Sequence, residues 1–311
     1  MEIGVLAWTA FAALVVVLLL VDLRAFGGRG EEIPLRRAVA WSVGWTALGV
    51  GFGALLWAWQ GRTVAEEYFA GFLIEKSLSI DNLFVFALIF AYFSIPALHQ
   101  RRVIFWGIVG AIVLRALFIL AGAGLLDAFH FTIYVFGAFL VVTGIRMARH
   151  QDTEIHPERN PVLRLLRRVL PLTARTEGDA FSIVIAGKRT GTPLLAALIL
   201  VATFDLVFAV DSIPAIFAVT RETFVVYAAN AFSLLGLASL YFVLADMIGR
   251  FRYLNLGLGA VLVFVGVKMM LSDVFHIPVY ASLAAIVVTL GIAIGASLLS
   301  PAASPAGTQE S

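Results

Sequence analysis

Nine stretches of roughly twenty mostly apolar residues decide what this chain can fold into. They lie near 3–23, 39–59, 67–92, 103–125, 131–148, 193–217, 224–248, 255–272 and 279–299. A helix of that length crosses the ~30 Å hydrocarbon core of a bilayer. Lipid gives exposed backbone no hydrogen-bond partner, so only helices and closed barrels cross it. Barrel strands would alternate apolar and polar residues, and these stretches do not. The expected fold is an all-α membrane protein of about nine transmembrane helices. Composition agrees: 61% of residues are hydrophobic and 14% charged, against about 25% charged in a soluble domain. The opening MEIGVLAWTA has no basic n-region and no small-residue cleavage site after it, so the first stretch is expected to remain as a span.

The cations orient the helices. With the N-terminus outside, 17 of the 22 Lys and Arg residues fall in cytoplasmic loops, as the positive-inside rule requires. The outer loops hold Arg62 and Arg221, while Lys76, Arg115 and Lys268 lie within spans. An N-out, C-in arrangement of nine spans accounts for this asymmetry. The transmembrane domain then covers 1–299, interrupted by a long cytoplasmic loop over 149–192. In that loop NPVLRLLRRVLP reads as a basic amphipathic helix, suited either to the anionic inner leaflet or to packing on span ends. FSIVIAGKRT reads as a hairpin. The tail over 300–311 has a disordered composition. The bilayer is the expected surrounding partner, and a net charge of +2 gives no argument for nucleic acid.

Charges inside the third and sixth spans need a reason, because each costs roughly 2.5–3.5 kcal/mol to insert. EKSLSIDNLFVF begins at Glu75 and DLVFAVDSIPAIF at Asp205. Each has an acid, five residues, an aspartate, a small polar residue and an apolar run. Glu75 matches Asp205, Asp81 matches Asp211, and Asn82 matches Ser212. An odd difference in span number makes the two copies antiparallel, as in inverted-topology repeats. The expected three-helix units are about 39–125 and 131–248. Such symmetry would gather the four carboxylates near the bilayer midplane. Six residues turn a helix by about 600°, so the two acids of one motif face different ways, whereas Glu75 and Asn82, like Asp205 and Ser212, share a face. Local unwinding would bring the acids together, and Pro214 favours it by leaving the Val210 carbonyl without its helical donor.

Intramembrane polar residues can also serve simply to hold helices together. Lys76 and Arg115 could each neutralise an acid in a buried pair; Arg115 is expected to be mainly structural. The five histidines, at 99, 130, 150, 156 and 276, fall in loops or at span edges and read as surface residues. Carboxylates, an amide and hydroxyls are hard oxygen donors, suited to Mg, Ca and Mn. With no cysteine and only five methionines, thiolate and other soft-metal sites are not supported. The candidate metal ligands are Glu75, Asp81, Asp205 and Asp211, with Asn82 and Ser212 as further donors. Crowded buried carboxylates hold protons until a cation replaces them, which suggests exchange of a divalent cation for protons.

EKSLSIDNLFVF, FDLVFAVDSIPAIFAVT, NAFSLLGLASLYFVLA and FRYLNLGLGAVLVFVGVKMM, taken together, resemble the TerC family of integral membrane proteins. The resemblance runs from about Val64 to Leu271. That family is named for tellurium resistance, is related to the lysine-exporter superfamily and includes manganese exporters. The resemblance implies Mn(II) efflux as substrate transport, with no permanent cofactor, across a bacterial cytoplasmic membrane. It also implies that Glu75, Asp81, Asp205 and Asp211 are the family's acidic positions. One position departs: an arginine is expected where GLASLYF carries Ala238, while Arg115 is kept at the equivalent place in the first half. The alternative is a non-transporting assembly or tellurite-stress partner that uses the basic inner loop. No enzyme is expected. The YD…GxGD arrangement of intramembrane aspartyl proteases is missing, and Lys268 sits too near a span end for a retinal Schiff base.

Overall fold

The structure is a computed structural model that describes residues 4–26, 34–129, 131–149, 165, 171–173, 178–185, 187–244, 253–271, 274–275 and 277–299. Its helices are α1 (Val5–Phe26), α2 (Leu35–Gln60), α3 (Arg62–Tyr92), α4 (Ala97–Ala128) and α5 (Thr132–Arg149), followed after a hairpin by α6 (Pro193–Phe217), α7 (Thr223–Leu234), α8 (Leu237–Leu244), α9 (Leu254–Met270) and α10 (Val279–Leu299). Every expected stretch coincides with one of these helices or, for 224–248, with the pair α7–α8. Among the described residues six helices are long and apolar enough to cross a membrane, or seven if α7 and α8 form one bent span. α3 is 31 residues long but carries its charges within the apolar run, and α9 has only 17 residues.

Several helices begin earlier than hydropathy alone suggests. Pro34 and Pro96 precede α2 and α4, where a fixed φ and a missing N–H cost little. Gly61, with φ +93°, separates α2 from α3. The seventh span is not one straight helix. It bends by 44° between α7 and α8, where Gly236 adopts φ +78°. A Cβ there would also lie 2.5 Å from the Cβ of Trp45, so glycine is required twice over.

α3 lies at the centre, packed by α2, α6, α7 and α10. Its partner α6 runs antiparallel to it. Thr220, just after α6, donates to Glu67 at 2.5 Å, and Gly71, one turn on, faces Ile216. α5 and α9 are also antiparallel and meet along a glycine seam. A Cβ on Gly144 would come within 2.6 Å of the Gly259 carbonyl, and one on Gly266 within 2.6 Å of the Gly137 carbonyl. Away from these contacts the outer faces of several helices carry apolar side chains. Val16 and Val17 on α1, Leu117 and Leu120 on α4, Val142 on α5 and Ile292 on α10 are exposed, as lipid-facing residues should be.

The hairpin expected in the long loop is present: β1 (Ser182–Ile185) pairs antiparallel with β2 (Lys188–Gly191). It sits at the start of α4, where Asp179 meets His99 at 2.6 Å and Arg102 covers the Phe181 ring at 5.0 Å. The basic amphipathic helix over 160–171, the tail over 300–311, Asp246, and the histidines at 130, 150, 156 and 276 lie outside the described residues, apart from isolated loop positions.

Candidate cation site

α3 and α6 each carry their acid in an unbroken helix. The unwinding expected around Asp211 is not seen. Pro214 is inside α6, but the helix ends at Phe217, so the proline removes a hydrogen bond only near its last turn. The two acids of one motif therefore remain on different faces. The side chains of Asp81 and Asp211 lie outside the described residues, although their backbones belong to α3 and α6.

Glu75 and Asp205 converge, and what they meet is Arg115 of α4. The guanidinium donates to Glu75 through Nη1, to Asp205 Oδ1 through Nη2 at 3.0 Å, and to Asp205 Oδ2 through Nε at 3.4 Å. Nη1 also donates to Asn230 Oδ1 of α7 at 2.8 Å. Asn230 is held for this task because its amide donates to the Val226 carbonyl, one turn back, at 3.1 Å. Glu75 is 0% exposed and Arg115 1%. Bidentate contact to a carboxylate suits the planar guanidinium and not an ammonium. Beside them, Lys76 donates to the Ser233 carbonyl at 3.1 Å, close to the α7–α8 bend. In formal charge these four ionisable groups balance.

The polar requirement is nevertheless incomplete. Glu75 Oε2, Ser79 Oγ, Asn82 Oδ1 and Ser212 Oγ are buried and have no hydrogen-bond partner among the described residues. An unpaired buried polar atom costs about 1–3 kcal/mol, and of the seven such atoms among the described residues these four lie on α3 and α6. All four are oxygens, two of them on the donors Asn82 and Ser212 singled out from the repeat. Among the described residues no three His, Asp or Glu side chains form a metal cluster. The set that can hold a cation here is Glu75 with the amide and hydroxyl oxygens, and Asp205 once its arginine moves.

Sequence reasoning identified Glu75, Asp205 and Arg115 as buried charges, but it missed Asn230, Ser233 and Ser79. A lone amide inside the apolar seventh stretch was the available signal for Asn230. His99 pairs with Asp179 beside the β1–β2 hairpin and is partly exposed there. Lys268 is in the last turn of α9, facing Glu67.

Fold and site together define a multi-pass α-helical membrane protein with a buried polar centre between antiparallel helices. Residues 60–304 match the integral membrane protein TerC family, and the chain belongs to that family. It is 46% identical over 292 residues to the uncharacterized membrane protein STKORF319 of Myxococcus xanthus, covering 94% of this chain and 92% of that one. It is 43% identical over 287 residues to an Escherichia coli K12 protein provisionally named membrane-bound redox modulator Alx, covering 89% of each. A Rickettsia bellii membrane protein is 34% identical over 294 residues, covering 94% of this chain and 97% of its relative. No solved structure matches.

Proposed function

We propose that this protein exports a divalent metal cation, Mn(II) in the first instance, across the bacterial cytoplasmic membrane in exchange for protons. The observation that carries the proposal is the set of buried oxygens without partners on α3 and α6, next to the acids Glu75 and Asp205. Hard oxygen donors suit Mn(II), Mg(II) and Ca(II). Glu75, Asp81, Asp205 and Asp211 bind the ion, and Asn82 and Ser212 complete its shell. The units 39–125 and 131–248 act as an inverted repeat, and one rocks against the other to open the site to each side in turn. The redox name of the relatives finds no thiol counterpart here, because this sequence has no cysteine.

The experiment is manganese tolerance of cells that depend on this protein. Asp81→Ala and Asp211→Ala should lose protection while still inserting at normal levels. Protection by both inserted variants would remove these aspartates from the site.

A further inference from the structure

We infer that Arg115 is a resident counter-ion, standing between Glu75 and Asp205 where the transported cation binds, so that the metal must displace it. This rests on the cation-export reading above and specifies how the site behaves without its substrate.

The geometry supports displacement over simple clamping. One guanidinium touches three helices beyond its own: Glu75 on α3, Asp205 on α6 and Asn230 on α7. Glu75 and Asp205 are the matching first acids of the two motifs, so a single cation bridges both halves. Among the described residues the hydrogen bonds to Glu75 and Asp205 from an arginine come from Arg115, and Ala238, where the family resemblance leads one to expect an arginine, is buried. Asp205 turns both oxygens to Arg115, so a metal there would have to share each with a guanidinium N–H. Glu75 gives one and keeps Oε2 idle. A second cation on the same carboxylates would be repelled by the guanidinium already there. Metal and guanidinium are therefore alternatives at Asp205. Arg115 keeps the site near charge balance during return without metal, and it lowers metal affinity enough to permit release. A clamp would do the opposite: it would fix the carboxylates for the metal and raise affinity.

The two roles predict opposite signs. Mn(II) binding to the full-length, detergent-purified protein is measured by equilibrium dialysis, with Mg(II) and Ca(II) as competitors and folding followed by gel filtration. Arg115→Gln should bind Mn(II) about tenfold more tightly than wild type, from the loss of one opposing charge, while turning over more slowly in vesicles. Weaker binding by folded Arg115→Gln, with wild type binding normally, overturns the counter-ion role and leaves cation export standing. If neither protein binds any of the three ions, the export reading itself fails, and this inference with it. Should Arg115→Gln not fold, Arg115→Lys decides. An ammonium cannot bridge both carboxylates as the fork does, so affinity should rise severalfold, and a fall counts against the role.

Discussion

Asn82 and Ser212 separate function from architecture most cleanly. Each buries an oxygen with no described partner, which leaves it open to a ligand. Asn82→Leu keeps the branched outline of the side chain and removes the orphaned amide oxygen, so it should raise stability by about 1 kcal/mol. The same change should reduce Mn(II) efflux at least severalfold. A thermal unfolding scan in detergent and an efflux assay on one preparation check both signs. Loss of stability with unchanged efflux would make Asn82 a structural residue. Residues of this kind were legible because charges and amides inside apolar stretches are costly and the 130-residue offset repeats them. Asn230 shows as a lone amide in an apolar stretch, but its partner does not, because that depends on where Arg115 reaches.

At the level of elements, the α5–α9 seam and the α7–α8 bend have distinct chemistry. The seam depends on Gly144 and Gly259 letting backbones touch, the small-residue packing that membranes favour in place of a hydrophobic driving force. Gly144→Leu should destabilise the fold by about 1–3 kcal/mol through overpacking, measured by thermal unfolding in detergent. Gly236→Ala meets both a left-handed backbone and Trp45 and should impair folding similarly. Helix positions were readable from apolar length, and the hairpin from two short runs around Ala186–Gly187. The break in the seventh span was not, since Gly236 looks like any other glycine in a transmembrane run until Trp45 is packed upon it. The continuity of α6 through Pro214 was missed for a related reason: nearness to the helix end, not proline itself, decides how much is lost.

Considered as a whole, the described molecule buries Glu75, Asp205 and Arg115 together between its helices and carries many of its apolar side chains on the outside. α3 and α6 run antiparallel, as the contacts Thr220–Glu67 and Gly71–Ile216 require. Because the natural sequence has no cysteine, single cysteines report topology without background. Cysteines at 62 and 221 should react with an impermeant thiol reagent from outside in intact cells, and those at 101 and 188 only after permeabilisation. The reverse pattern would invert the topology. Deleting 150–170 should leave efflux measurable if the protein is a transporter; complete loss with normal insertion would favour a scaffold that works through its inner loop. The central claim is tested most directly in proteoliposomes, with Mn(II) and internal pH followed together for wild type and Asp211→Ala. The account predicts manganese movement with opposing proton movement, lost in the variant. No movement of Mn(II), Mg(II) or Ca(II) by folded wild type would contradict it.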